Sequence, residues 1–351
     1  MERRWGPGRS LTTVFNQPDR VRILYVIPGE EHGSSMIFSK REALSVAQAG
    51  VTTRRFFLET RTRPAVLVRE WRRLRRELKA FKPHIVHAQY GTVTACLCAL
   101  SSGAPLVMTL HNAELNHELD VSFLREKCGH LLSQLAALKA SRIVCVSTEL
   151  KRRLWWRRDR VSIIPSSVDL ERFCPVPRAE ARTSLNWELS EPVVLFYAGR
   201  NPATKRLDLG LEVTAQARAI YGPFRLEILR WQVDPDRIPL YLNAADCLLC
   251  TSSSEGSPTI VKEAMACNLP VVSVDVGDVR ERIEGLNNCH IRTSAPDDLA
   301  GALVSVLRSG RRSNARAAAA TVSTAVCRNR LLALYERLLE ETGRARVPPI
   351  G

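Results

Sequence analysis

Apolar and polar positions alternate in blocks along this chain, and the blocks predict its elements. Short apolar runs, which indicate buried strands, are separated by segments with apolar residues at helical spacing. Six such runs and four helical segments lie between residues 21 and 169. After residue 192 the alternation starts again, with four apolar runs and a final helix at 324–342. Strands that alternate with helices favour a parallel sheet covered on both faces.

The break in this alternation divides the chain. We predict a mobile, basic leader over residues 1–20, a first domain over 21–175 and a Pro-bearing linker over 176–192. The second domain is expected over 193–323, before a C-terminal helix over 324–343 that can cross back to the first domain. The predicted fold class is α/β: two Rossmann-like, doubly wound domains of parallel sheet that face each other across a ligand-binding cleft.

The cysteine positions argue against a metal-binding protein, and the longest uncharged stretch argues against a membrane-spanning one. Cys247 and Cys250 occupy one predicted strand, where positions three apart face opposite sides and cannot chelate one metal. The ten cysteines, mostly in apolar patterns, favour reduced core thiols in a cytosolic protein. The uncharged stretch 88–110 is broken by SSGAP at 101–105, so it predicts a helix and a strand and no membrane span.

Positive charge is concentrated in the first half. The net charge of +15 divides into 30 Lys and Arg against 17 Asp and Glu (+13) in residues 1–180, and 21 against 19 (+2) in the rest. Two clusters, in the helix predicted at 66–82 and at 151–160, place aromatic residues among arginines. They suit an anionic membrane surface, on the inner face of the cell membrane. The residues we expect there are Trp71, Arg72, Arg73, Arg75, Arg76, Trp155 and Trp156.

Two glutamates eight residues apart lie where a strand, a turn and a helix meet. Glu255 follows the apolar run CLLCTS, and Glu263 lies about one turn into the helical IVKEAMAC. A ligand at the carboxyl ends of parallel strands could contact both, together with backbone N–H groups at the start of the helix. A glutamate near a helix N-terminus also complements the helix dipole, so either residue alone has a structural explanation.

Two cations follow the first strand of the second domain. Gly199 ends the run PVVLFYAG and Arg200 follows it directly; Lys205 stands five residues after Arg200, at the start of a helix. Cations beside helix N-terminal N–H groups suit a diphosphate, and carboxylates suit ribose or sugar hydroxyls. Together with the two glutamates, they indicate a site for a nucleotide diphosphate.

These strings resemble a known family. AGRNPATK and EGSPTIVKEAMACNLPVVS are similar to the G-R…K and E-x7-E elements of family 4 retaining glycosyltransferases, which have the GT-B architecture. In the first half, PHIVHAQYGT, VMTLHN, SRIVCVS and IPSSVDLERF also match the family's pattern. The resemblance covers nearly all of residues 21–340. It implies an acceptor-side first domain and a second domain that binds the nucleotide sugar.

The resemblance also implies roles for individual positions. Arg200 and Lys205 are expected to stabilise the departing diphosphate, and Glu255 and His111 to contact the donor sugar. Glu263 is expected to accept hydrogen bonds from the ribose. The other expected donor-binding residues are Gly33, Gly199, Gly256, Ser257, Pro258, Thr259 and Ile260.

We therefore expect retaining transfer of a sugar from a UDP- or GDP-sugar to a lipid-linked or polysaccharide acceptor, in cell-surface glycan synthesis. No metal or other cofactor is expected, because Arg200 and Lys205 can supply positive charge at the leaving group. The two Trp- and Arg-containing clusters could bind this acceptor instead of lipid.

Two other functions stay open at this point. A strongly basic chain is typical of proteins that bind or modify nucleic acid, and this architecture includes such enzymes. We nevertheless do not expect a nucleic-acid partner, since we find no DNA-reading motif and the cations alternate with Trp and Leu. A sugar-nucleotide 2-epimerase shares the architecture too, and an assay with the donor alone separates it from a transferase.

Overall fold

The computed structural model describes residues 21–32, 35–59, 64–117 and 122–343. The predicted leader (1–20) and Gly33 lie outside these residues. Within them, the chain forms two parallel sheets, each covered by helices, so the predicted fold class is confirmed.

The first sheet has six parallel strands in the order β2-β1-β3-β4-β5-β6. Its central strands are buried on both faces, which explains their continuous apolar runs. The strands are β1 (Arg22–Pro28), β2 (Thr52–Leu58), β3 (Ile85–Gln89), β4 (Leu106–Leu110), β5 (Arg142–Cys145) and β6 (Val161–Ile163). The helices are α1 (Ile37–Gln48), α2 (Pro64–Phe81), α3 (Thr92–Ser101), α4 (Phe123–Lys139) and α5 (Thr148–Arg153).

The second sheet has five parallel strands in the order β11-β10-β9-β7-β8. Its strands are β7 (Val193–Gly199), β8 (Arg225–Arg230), β9 (Cys247–Cys250), β10 (Val271–Val274) and β11 (His290–Arg292). Its helices are α7 (Leu207–Tyr221), α8 (Ile238–Ala244), α9 (Thr259–Ala266), α10 (Val279–Ile283), α11 (Pro296–Ser309) and α12 (Arg316–Ala320).

The segment predicted as a linker, 176–192, contains a short helix, α6 (Arg178–Ser184). Its Arg182 is buried and donates to Asp246, 2.7 Å away, just before β9. Asp246 also accepts the backbone N–H of Val193. This segment is therefore folded against the second domain and is not a free connection.

The last helix, α13 (Thr324–Glu341), leaves the second domain and packs on α1 of the first. A backbone bridge between Val168 and Ser323 marks the crossing. Tyr335 of α13 is fully buried, and its hydroxyl lies 2.8 Å from that of Tyr25 and 2.6 Å from Nδ1 of His87. The final helix thus completes the core of the first domain.

Helices α2, α3 and α4 lie side by side on the other face of the first sheet. They pack on it through buried residues such as Leu74, Cys98 and Ala136. None of the helices in the described part of the chain is long and apolar enough to span a membrane.

Candidate functional site

A cavity of about 520 Å³ opens between the two domains at the carboxyl ends of their strands. The first domain contributes α1, His111 and the segment 164–169. The second contributes residues after β7 and β8 and the start of α9. Five residues singled out from the sequence line it: His111, Arg200, Thr259, Ile260 and Glu263.

Lys205 and Glu255 form an ion pair at the carboxyl ends of β7 and β9. Hydrogen bonds hold the two loops together: the Thr251 hydroxyl donates to the carbonyl of Lys205, and the Ser253 N–H to that of Thr204, both at 2.9 Å. The Ser252 hydroxyl donates to Glu255, also at 2.9 Å. Burial lowers the pKa of Lys205, but Glu255 more than offsets this, so the pKa is raised and the ammonium stays charged.

Arg200 follows a backbone irregularity at the end of β7. The pairing with β8 shifts between Tyr197 and Gly199, and Gly199 has a φ of +55°, which a side chain disfavours. The bulge turns the chain so that Arg200 is exposed on the cavity wall. Its guanidinium lies 5.3 Å from the ring centre of Trp231.

Glu263 lies on the face of α9 that borders the cavity. Burial raises the pKa of this carboxyl to about 7, although Arg41, Arg172 and Lys262 lower it. An acid in this state is a strong acceptor for hydroxyl groups once ionised, and its desolvation is relieved when such donors bind.

The loop before α9 contacts the first domain directly. A Cβ atom on Gly256 would lie 1.6 Å from the carbonyl oxygen of His111. Beside it, the hydroxyl of Ser254 and the amide of Asn112 are hydrogen-bonded, with Asn112 Nδ2 3.1 Å from Ser254 Oγ. Gly256 therefore permits a close approach of the two backbones across the cleft.

Ser257 and Pro258 join this loop to a buried polar cluster that the sequence did not reveal. The fully buried Lys262 donates to Ser257 Oγ at 2.7 Å and to Asp278 at 3.0 Å. Ser257 Oγ also accepts the N–H of Ser166 from the first domain, at 3.0 Å. The side chain of Ser257 is thus structural, while Thr259 and Ile260, the first residues of α9, border the cavity.

His111, directly after β4, is held from two sides. Its backbone N–H donates to the fully buried Glu114, which also accepts the N–H groups of Gly91 and Asn112. Its ring packs on Phe38, with 4.6 Å between the ring centres. Burial lowers the pKa of His111 to about 3, so the imidazole is neutral.

Two further side chains assign the tautomer of this imidazole. Gln89 Nε2 donates to Glu42 of α1 at 2.5 Å, and Gln89 Oε1 lies 3.1 Å from His111 Nε2. The Gln89 amide thus turns its oxygen towards His111, and an oxygen can only accept, so Nε2 carries the proton. Nδ1 then keeps a lone pair that can accept from a ligand hydroxyl. Sequence spacing did not link Glu42, Gln89 and Glu114 to the site, since they come from three separate segments.

Some of the arginines of the cationic helix α2 make contacts within the first domain. Arg73 donates to the buried Glu70 at 2.7 Å, and the half-buried Trp71 lies beneath the guanidinium of Arg75, 4.9 Å from its ring centre. The remaining predicted cations stay exposed: Arg72, Arg75 and Arg76.

The second predicted cluster divides between surface and interior. The Trp156 indole donates to the backbone carbonyl of Gln134 at 2.6 Å and is half-buried, whereas 60% of Trp155 is exposed. In the described parts of the chain, no group of three His, Cys, Asp or Glu is placed to hold a metal ion.

Two family models match consecutive parts of this chain. Residues 28–172 match Glycosyltransferase Family 4, and residues 186–309 match Glycosyl transferases group 1. The chain belongs to the family 4, group 1 glycosyltransferases. The second match contains both charged pairs of this glycosyltransferase, Arg200 with Lys205 and Glu255 with Glu263.

Individual relatives of this glycosyltransferase are distant. A D-inositol 3-phosphate glycosyltransferase of Geodermatophilus obscurus is 28% identical over 53% of this chain and 49% of its own length. The putative teichuronic acid biosynthesis glycosyltransferase TuaC of Bacillus subtilis is 28% identical over 56% of this chain and 54% of its own. The chain thus spans about half the length of these curated relatives.

A solved structure is similar over nearly the whole glycosyltransferase. Anabaena HepE, in complex with UDP and glucose, has a TM-score of 0.72 at 16% identity. The match covers 91% of this chain and all of that one. It shows the same two-domain GT-B fold.

Proposed function

We propose that this protein transfers a sugar, with retention, from a nucleotide-diphosphate donor to an acceptor hydroxyl. The observation that carries the proposal is that Arg200 and Glu263 line the interdomain cavity, while the ion pair of Lys205 with Glu255 lies next to them at the carboxyl ends of β7 and β9. Two cations suit a diphosphate, and two carboxylates suit ribose and sugar hydroxyls.

The proposed reaction breaks the bond from the anomeric carbon to the diphosphate, which leaves with the electron pair. Negative charge grows on the diphosphate, and the fixed charges of Arg200 and Lys205 stabilise it without a divalent ion. In retention, the acceptor oxygen attacks from the face that the diphosphate leaves. Its proton can then pass directly to a departing phosphate oxygen. Nδ1 of His111 is proposed to accept a hydrogen bond from a hydroxyl of the donor sugar.

For the donor, we propose a UDP- or GDP-sugar. The similar fold of HepE, which was crystallised with UDP and glucose, supports a uridine nucleotide. For the acceptor, we propose a lipid-linked or polysaccharide glycan at the inner face of the cell membrane. The name of TuaC, which refers to teichuronic acid synthesis, and the +13 charge of residues 1–180 support this choice.

Nucleotide sugars are expected to raise the melting temperature, because a ligand that binds only the folded state stabilises it by mass action, about 2.7 kcal/mol at 100 times Kd. A thermal-shift screen of UDP-, GDP-, ADP- and dTDP-sugars identifies the donor. Glu263→Ala is expected to lose most of the shift. The matched control is Glu284→Ala, which removes an exposed carboxylate of the same domain that pairs with Arg280. If no nucleotide sugar stabilises the wild type, the proposed function is wrong.

Donor affinity is expected to fall as the pH drops below about 7, because Glu263 must be ionised to accept the ribose hydroxyls and its pKa is about 7. The decline approaches tenfold per pH unit. UDP-sugar titrations by calorimetry between pH 5.5 and 8.5 measure it. In Glu263→Gln the decline should flatten; an equally steep decline would assign it to another group.

The same pKa sets the sign of a stability effect in the unliganded protein. The folded pKa of Glu263 lies above the ordinary value of 4.5, so its contribution to stability is present below pH 4.5 and is lost as the pH rises through 7. The melting temperature of Glu263→Gln should therefore be higher than that of the wild type at pH 8, and the two should be similar at pH 5.

A further inference from the structure

The outer face of α4 carries an exposed apolar stripe. Leu124, Leu131, Leu135 and Leu138 are 74%, 47%, 45% and 39% exposed, and Cys128 is exposed between them. Their spacing of three or four residues places all five on one side of the helix. At 1.5 Å per residue the stripe is roughly 21 Å long. Isolated exposed leucines are common, but a continuous stripe usually marks an interaction surface.

The opposite face of α4 explains why the large side chains point outward. The helix packs on the first sheet through small or polar residues: Ser133, Ala136 and Ala137 are buried, as is the C-cap residue Ala140. A helix with a small-residue inner face and leucines outside is the reverse of an ordinary surface helix. Burial in the first domain therefore does not account for these leucines.

Trp155 extends the stripe. Gln134 of α4 accepts the N–H of Trp155 at 3.1 Å, and its own amide donates to the carbonyl of Arg153 at 3.0 Å. Both bonds are to backbone atoms, so they hold the chain that bears the exposed Trp155 indole against α4. Tryptophan is the residue that favours the boundary between water and the hydrocarbon of a bilayer.

Cations surround this surface. Residues 121–160 contain 10 Lys and Arg against 3 Asp and Glu. Two of these three acids already have partners within the protein: Glu126 is buried against His117, and Glu149 pairs with Arg153. The exposed cations near the stripe include Arg125, Lys127, Lys139, Arg152 and Arg158. A second copy docked through the same face would bring these cations together, whereas an anionic bilayer would attract them.

We propose that α4 and Trp155 form the surface on which this protein docks to an anionic lipid bilayer. The stripe and the indole enter the headgroup region, and the flanking cations bind lipid phosphates. This assigns the main contact to α4, with the arginines of α2 in the same helix layer in a secondary role.

The proposal rests on the proposed function where it concerns the acceptor. A second cavity of about 390 Å³ lies between Asn116, His117, Arg152 and Arg153 of the first domain and Glu255, with its neighbours, of the second. The bond between His117 and Glu126 places the first turn of α4 beside this cavity. A bilayer on the α4 surface would thus present a lipid-linked acceptor to the donor-sugar side of Glu255.

Vesicle co-sedimentation of the full chain tests the docking surface. The wild type is expected to bind vesicles of phosphatidylcholine with phosphatidylglycerol and not phosphatidylcholine alone. In Leu131→Glu/Leu135→Glu the partition coefficient should fall at least about tenfold, since two inserted side chains become anionic. The matched control, Leu211→Glu on α7, replaces a leucine of similar exposure (49%) and should bind as the wild type does.

Three outcomes overturn the proposal. Leu131→Glu/Leu135→Glu could bind vesicles as the wild type does, Arg72→Glu/Arg76→Glu could be the one double variant that loses binding, or the wild type could bind neutral and anionic vesicles equally. A wild-type dimer in analytical ultracentrifugation that Leu131→Glu/Leu135→Glu dissociates, without vesicle binding, would assign the stripe to a second copy. The donor thermal shift should be the same in all these variants. If the wild type shows no thermal shift with any donor, the proposed function is wrong, but the vesicle result still tests the docking surface.

Discussion

Lys205→Ala is expected to lower the turnover of sugar transfer by about 100- to 1,000-fold, the usual effect of removing one preorganised group that stabilises transition-state charge. The ammonium lies at the carboxyl end of the second sheet, ion-paired with Glu255 and fixed by the bonds of its loop to Thr251. Donor affinity should fall far less than turnover, because the negative charge that Lys205 compensates grows as the bond breaks.

The matched control for this variant is Arg206→Ala. Arg206 is the next residue along the chain, but it is paired with Asp208 on the surface, so its loss should leave turnover within about twofold of the wild type. Single-turnover assays with radiolabelled donor measure the bond-breaking step for both variants. Equal turnover by Lys205→Ala and the wild type would remove Lys205 from the proposed mechanism.

In the same assay the wild type is expected to keep its activity in EDTA. Activity that EDTA abolishes and Mg²⁺ restores would contradict the metal-free proposal.

Gly256→Ala is expected to abolish most of the activity by forcing the two domains apart. The added Cβ would lie 1.6 Å from the carbonyl oxygen of His111, a backbone atom that cannot turn away as a side chain can. Overpacking of this kind costs about 1–3 kcal/mol, and opening the cleft relieves it. Opening separates His111 from the donor side, so we expect turnover to fall at least about 100-fold.

Two measurements separate this effect from general destabilisation. Small-angle scattering of Gly256→Ala should show a larger radius of gyration than that of the wild type, while the donor still binds the second domain. Gly301→Ala, at a helical position with no neighbour within 4 Å of its added Cβ, should change neither the shape nor the turnover. Wild-type turnover in Gly256→Ala would show that this close contact is not needed for transfer.

The sequence was sufficient for the elements because their signals are local. Buried parallel strands are continuous apolar runs, and ten of the eleven strands were predicted from them. The exception, β11, has only the three residues His290–Arg292, and two of the three are polar, so it forms no apolar run. Helix α6 was missed because seven mostly polar residues after a proline resemble a linker.

The parts of the site that the sequence did not reveal depend on contacts between distant segments. Lys262 and Asp278 look like ordinary surface charges in the sequence until the fold buries both, and Glu42, Gln89 and Glu114 come from three separate segments. The outward leucines of α4 could not be assigned either. Apolar residues occur on both faces of this helix, and only the packing of its alanines on the sheet decides which face stays exposed.

The return of α13 to the first domain has a consequence for synthesis of the protein on the ribosome. The cluster of Tyr25 and His87 receives its partner Tyr335 only after more than three hundred residues have been made. Until then the first of the two domains lacks the hydrogen-bond partner of its His87 imidazole and Tyr25 hydroxyl, and the face of α1 that α13 covers is exposed. The domain made first is thus finished last, and a stop codon ahead of α13 would leave it incomplete although every proposed donor-site residue had already been translated.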